Sequence, residues 1–446
     1  MKKTAIAVLA IFMSVSAAAC GSFGKASPQT VTKKNDTSRT STTAQTSMKN
    51  DKTPTDADDT ESASDTESEN ESGASPETDA PESDEELIED LIDKMTLEEK
   101  VGQLFLVRPD ALETGFENSV VNNDDIGGVT YVDDMMKNAM EKYHVGGFVL
   151  FEKNIVDGEQ LKKFTDDLQG MSEIPLLIGV NELGGDFAPI ANNVNFNVKL
   201  FGNMNELGAT GSAEKAKNVG TEIGKYLAEY GLNFDFAPRA DLSLDSKNVS
   251  AGNFSSDAGV ASNMVSAEIE GLHASGIMAA VSHFPGYGDN TADNDNFIYN
   301  GSLWETILER EAVPFVDSLS KTDMLVIGHV ELPAVTDDGF PASMSQQFIQ
   351  EKVRDELGYK GVIMTDSMAA KSVKKNFVQS ECAVEAVIAG ADIVLTPYDL
   401  DKAYRSVLKA AEDGKIDESR INGSVRRILA LKAKSGLLDD HKISEE

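Results

Sequence analysis

The chain has 446 residues, a formal charge of −35 and two cysteines. That length holds one large domain or two ordinary ones. The charge argues against a nucleic-acid partner, which is held by counterion release onto a basic face. Cys20 and Cys382 are too few for a disulfide framework or a zinc site.

In chain order, the first segment reads as an export signal. Lys2 and Lys3 supply the positive end, residues 5–15 are apolar but too short to span a bilayer, and Ala17-Ala18-Ala19-Cys20-Gly21 offers small residues for cleavage. A cysteine directly after such residues resembles a bacterial lipobox. Residues 1–20 are therefore the expected signal peptide and Cys20 the expected lipidation site. This predicts an exported protein, lipid-anchored at the outer face of the membrane or secreted; an ordinary cleaved signal with Cys20 incidental is the alternative. Residues 21–86 are polar and turn strongly acidic after Asp51. Such a composition buries too little apolar surface to offset its conformational entropy and predicts a disordered linker.

From Leu87 the pattern changes. Leu87, Ile88, Leu91, Ile92 and Met95 recur at helical spacing, and Thr96 with Glu99 has the form of a capping box. Short apolar runs then alternate with helix-length amphipathic segments: GGFVLF (146–151), PLLIGV (175–180), NFDFAP (233–238), IMAAV (277–281), MLVIG (324–328), GVIMT (361–365) and DIVLT (392–396). Runs this uniformly apolar suit parallel strands buried on both faces. Residues 87–438 are thus expected to form an α/β fold, a (β/α)8 barrel of the TIM type, with 439–446 a polar tail. No glycine-rich dinucleotide loop follows the first strand, which weakens the open-sheet alternative.

Polar residues stand just past five of these strands: Asn181 and Glu182, Arg239 and Asp241, Ser282 and His283, His329 and Glu331, and Asp366 and Ser367. In a barrel these converge on one face, where such folds place catalysis. Asp366 is the foremost catalytic candidate, since no lysine or arginine lies within three residues of it; a helix N-cap is its structural alternative. His283 and His329 are read as sugar-binding or carboxylate-orienting groups, against satisfied core histidines. His144 and His273 read as structural, and Cys382 as a small buried hydrophobe. Asp289, Asp293 and Asp295 lack the glycine and glutamate of a calcium loop, so no metal is expected.

Taken together, MTLEEKVGQLFLV (95–107), GGFVLFEKNI (146–155), IPLLIGVNELGG (174–185), LNFDFAPRADL (232–242), HFPGYGD (283–289), GYKGVIMTDSM (358–368) and AGADIVLTP (389–397) resemble the barrel of family 3 glycoside hydrolases, in the β-N-acetylhexosaminidase branch. The resemblance implies a retaining hydrolase with Asp366 as nucleophile and no cofactor. It also implies a sugar site including Asn181, Asp241, His283 and His329, and an acid/base loop. Against the family's loop pattern K-H-F-P-G-H-G-D-T-x-x-D-S-H, Ser282 replaces the lysine, Tyr287 the second histidine and Asp295 the final, catalytic histidine; its partner aspartate is kept as Asp293. Against D-E-x-G-G-R, Asn181 and Asp186 replace the first and last residues, and the arginine of an R-S-F segment falls near Gly252. Three expectations stand open. One is hydrolysis of β-linked N-acetylhexosamine in cell-wall or chitin-like glycans. The second is a carbohydrate-binding or scaffolding protein of the cell envelope that has lost turnover. The third is a glycosidase of altered specificity, with Asp366 and Asp295 as its carboxylate pair.

Overall fold

The computed structural model describes residues 83–288 and 295–439. The expected signal, Cys20, the linker up to residue 82, Asp293 and the last seven residues lie outside the described residues. The first helix, Asp84–Lys94, starts three residues before Leu87. The Ser83 hydroxyl accepts from the Glu86 N–H, and Asp84, Glu85 and Glu86 meet the positive end of the helix dipole. Capping chemistry, not the first apolar residue, sets this start. The helix Leu97–Gln103 follows the expected capping box, with Glu99 N–H donating to Thr96 Oγ1 and Thr96 N–H to Glu99 Oε2.

Ten short strands follow: β1 (Phe105–Val107), β2 (Gly147–Val149), β3 (Leu177–Val180), β4 (Phe234–Asp235), β5 (Met278–Phe284), β6 (Ile298–Tyr299), β7 (Met324–Ile327), β8 (Val330–Glu331), β9 (Val362–Thr365) and β10 (Val394–Leu395). Eight of them pair in parallel in the order β10-β1-β2-β3-β4-β5-β7-β9, and a parallel bridge between Met364 and Ile393 joins the two ends. The expected barrel is present. The remaining two, β6 and β8, pair with each other outside the ring.

Alternation along each strand divides the core into two layers. Leu106, Val149, Leu177, Phe234, Met278 and Val326 fill the barrel interior. Phe105, Val107, Phe148, Ile178, Leu325 and Ile363 pack outward against the helices. The interior leaves no room for a further side chain at Gly179, where a Cβ would stand 2.4 Å from the Phe234 ring. The barrel is therefore a packed plug, with no space for a ligand in its interior. A hollow of about 430 Å³ opens near the N-terminal ends of β1 to β3 among Leu91, Met95 and Met140. The polar strand-end groups lie at the opposite end.

Candidate active site

At the C-terminal end of the barrel lies a cavity of about 230 Å³, the scale of one pyranose. Its wall includes Arg108 after β1, Phe151 after β2, Asn181 after β3, Arg239 after β4, Ser282 and His283 within β5, and Asp366 and Ser367 after β9.

Asp366 is half-buried and directed to this cavity. Its backbone N–H donates to Ile327 O, which fixes it against β7. Its side chain caps no helix: the next one, Lys371–Asn376, has Ala370 at its N-cap, and Asp366 Oδ1 instead accepts the N–H of Ser367 at 2.7 Å. The other oxygen, Oδ2, accepts the Tyr287 hydroxyl at 2.5 Å. Burial pushes this carboxyl up. The charges of His283 and His329 and the two hydrogen bonds outweigh burial and hold it below the ordinary carboxylate range. An ionised carboxylate is the form a nucleophile requires.

His283 also lines the cavity, with its Nδ1 facing Asp241 Oδ2 at 2.8 Å. Asp241 itself does not reach the cavity. It is 3% exposed, accepts the Tyr287 N–H at 2.8 Å on Oδ1, and lies 3.6 Å from Arg239 Nε. The expectation that Asp241 binds sugar is therefore corrected: it stands behind the wall and orients His283, Tyr287 and Arg239. Burial raises its carboxyl, and His283, Arg239 and the Tyr287 N–H bring it below the usual range.

His329 is corrected in the same way. It is 4% exposed, its Nδ1 lies 2.7 Å from Ser343 Oγ and its Nε2 lies 2.9 Å from Ser367 O. Both ring nitrogens are engaged by the protein, so the histidine supports the segment carrying Asp366 rather than a ligand. Asn181 is exposed and lines the cavity. Asp295 does not line it. Its carboxylate is 68% exposed and lies 3.8 Å from Lys375 Nζ. That surface position, away from the cavity lining, counters its pairing with Asp366. His144 caps a helix in the left-handed region, His273 pairs with Asp323, and Cys382 is buried. Among the described residues no group of three or more His, Cys, Asp or Glu side chains is placed to hold a metal ion.

Arg108 escaped the sequence reading, and Tyr287 and Arg239 were read there without the contacts they make at this site. Tyr287 is buried, stacks on His283 with ring centroids 4.4 Å apart, and fills the space beside Gly328, where a Cβ would be 2.4 Å from the Tyr287 ring. Arg108 lies flat on Phe151, 3.5 Å from its centroid, and pairs with Asp124 of the segment between β1 and β2. Arg239 sits 5.5 Å from the centre of the Phe187 ring. The signal for both arginines was a cation just past an apolar run. Their direction depends on the aromatic rings beneath them, which adjacency in sequence does not reveal.

Residues 96–431 match the family model described as glycosyl hydrolase family 3 N terminal domain. A beta-hexosaminidase A from Pseudoalteromonas piscicida is 27% identical over 350 residues, covering 71% of this chain and 58% of that protein. A beta-N-acetylglucosaminidase/beta-glucosidase from Cellulomonas fimi is 26% identical over 366 residues, covering 77% and 58%. Among solved structures, a glycoside hydrolase family 3 beta-N-acetylglucosaminidase from Paenibacillus sp. str. FPU-7 superposes with a TM-score of 0.69 at 29% identity, covering 77% of this chain and 63% of that one. The chain spans less than two thirds of the length of each of these relatives.

Proposed function

Because the chain belongs to glycosyl hydrolase family 3, we propose that it hydrolyses β-linked N-acetylhexosamine from cell-wall or chitin-like glycans by a retaining mechanism. The observation that carries this reading is Asp366: an ionised carboxylate, held by Tyr287 and Ser367, at the edge of a pyranose-sized cavity on a barrel's catalytic face. The relatives' beta-hexosaminidase and beta-N-acetylglucosaminidase names support the sugar class.

In this mechanism an Asp366 oxygen attacks the anomeric carbon. The C1–O bond to the leaving group breaks, its electron pair goes to the departing oxygen, and a glycosyl ester forms. Water then attacks C1, and the carboxylate departs with the electron pair of the ester bond. The proton that water loses balances the one the departing oxygen takes up, so the net change is hydrolysis with the configuration retained. Ser367 and Tyr287 stabilise the carboxylate as it is released. Of the groups expected on the acid/base loop, Asp295 lies at the surface and Asp293 is outside the described residues. His283, an imidazole on the cavity wall with Asp241 on its Nδ1, is the group we assign to proton transfer.

The test is a panel of aryl N-acetyl-β-glucosaminides and aryl β-glucosides, whose good leaving groups need little protonation. Release of the phenol with retained anomeric configuration, abolished in Asp366→Asn, is the expected result. A second reading, a carbohydrate-binding protein without turnover, is favoured by the surface position of Asp295. Sugar binding without cleavage of any panel member establishes it in place of the first. Export and lipid attachment at Cys20 belong to the same proposal, on the strength of the Ala17-Ala18-Ala19-Cys20 sequence. Metabolic palmitate labelling that is lost in Cys20→Ser checks them.

A further inference from the structure

Gly252 is buried, and its backbone is not in the left-handed region, so no turn geometry demands a glycine there. What demands it is a side chain. A Cβ at 252 would stand 2.6 Å from Arg239 Nη1 and 3.4 Å from Arg239 Cδ and Cζ, its three nearest atoms. The bare position is a seat for the Arg239 guanidinium. The seat is fixed from both sides. The 251–254 loop is held by the Ser250 and Asn253 hydrogen bonds to Ser243 Oγ, both 3.1 Å, and by Ala251 O accepting from Met204 N–H. The Arg239 backbone forms a bridge with Ser282, and Ala240 N–H donates to Ser282 O at 2.8 Å.

Arg239 is 25% exposed, lines the cavity that holds Asp366, and turns Nε toward Asp241 at 3.6 Å. Among the described residues no acceptor takes its Nη hydrogens. A planar fork whose Nε faces a buried carboxylate, and whose two terminal nitrogens meet no acceptor among the described residues, is suited to meet a pair of oxygens. The sequence suggested that this pocket had lost its arginines, with Gly252 and Asp186 at their expected places. One guanidinium has instead been brought to the space above residue 252 from residue 239.

We infer that Arg239, seated over Gly252, is the specificity-determining residue that grips two adjacent oxygens of the sugar in this cavity. The inference rests on the glycosidase reading for its ligand class. It makes Arg239 and Gly252 a single unit: side chain at one position, absence of side chain at the other.

The test uses the full protein with 4-nitrophenyl N-acetyl-β-glucosaminide and three variants: Arg239→Leu, Gly252→Ala and the double Arg239→Leu/Gly252→Arg. Losing a charge-assisted fork weakens binding about 10- to 100-fold. Arg239→Leu is therefore expected to raise KM by that factor, with a smaller change in kcat. Gly252→Ala, which pushes the flexible guanidinium aside, should raise KM less. The double variant should recover a substantial part of the loss, because it returns an arginine to the same space from the other wall. An unchanged KM in Arg239→Leu overturns the inference. So does a double variant as weak as the single one while both melt like the parent. Calorimetric titration of Asp366→Asn protein, with and without Arg239→Leu, by di-N-acetylchitobiose separates the two readings. Binding that depends on Arg239, without turnover in the parent, removes the hydrolase reading and leaves this one standing. Turnover with binding indifferent to Arg239 does the reverse, and a parent that binds no sugar overturns both.

Discussion

The Tyr287 hydroxyl donates to Asp366 Oδ2 at 2.5 Å, while Asp366 Oδ1 is occupied by the Ser367 N–H. The phenol is buried and raised well above its usual pKa by burial and by the Asp366 charge, so it acts as a donor and never as a competing anion. It replaces a histidine of the family pattern with a group that cannot itself become a cation.

With the charges of His283 and His329, this bond helps to set the acid limb of activity. Asp366 must be ionised to attack, and a donor to the ionised form lowers its pKa. Removing that donor in Tyr287→Phe therefore raises the pKa and moves the acid limb of kcat/KM to higher pH. The profile of aryl glycoside hydrolysis between pH 3 and 8 checks it. Loss of rate without movement of that limb contradicts the assignment.

Asp241 fastens His283 and Tyr287 together. Asp241→Ala and His283→Ala are each expected to lower kcat/KM by about 100-fold, within the range for a misplaced proton carrier. The double variant should be little worse than either, since both changes break one unit. A double loss equal to the product of the single losses shows the two acting independently.

Asp295 is a surface group, 3.8 Å from Lys375 Nζ. Asp295→Asn should leave kcat/KM within about twofold, because exposed charge pairs carry little free energy. A loss of two orders of magnitude restores Asp295 to the chemistry and makes the two-carboxylate mechanism the working model.

Lys432 is 0% exposed, donates to Gln103 Oε1 at 2.8 Å, and is lowered by burial to about 7. The unfolded chain holds this amine protonated up to about pH 10.4. Unfolding between those values takes up a proton, so stability rises with pH across the window and is lowest at or below neutrality. Lys432→Met should melt higher than the parent at pH 6, with the gap closing toward pH 10. Melting curves at three pH values decide this, and a gap independent of pH rules out the titration as its cause.

The barrel was legible because its signals are local and repeated. Seven apolar runs and the strand after Gln103 became the eight ring strands, and Thr96 with Glu99 formed its capping box as read. At the site, sequence showed which residues follow a strand but not which way they point. Asn181, His283 and Asp366 turned into the cavity, whereas Asp241 and His329 turned behind it to partners 42 and 14 residues away. The alternation that sorts inward from outward residues ends with the strand. Beyond it, direction is set by long-range partners, and the seating of Arg239 over Gly252 is visible only when two distant segments are brought together.

Arg108 owes its pose to Asp124, and Asp124 belongs to a stretch anchored at depth by Asp110, which accepts from Asn154 Nδ2 at 2.9 Å and faces Lys153 at 3.3 Å. The β1–β2 connection is therefore an exchangeable cartridge. Splicing in another version that keeps Asp110 but changes residue 124 would re-aim one cation at the mouth of the cavity while the eight-stranded ring stayed untouched. That gives protein engineers a handle on selectivity separate from the machinery of bond cleavage.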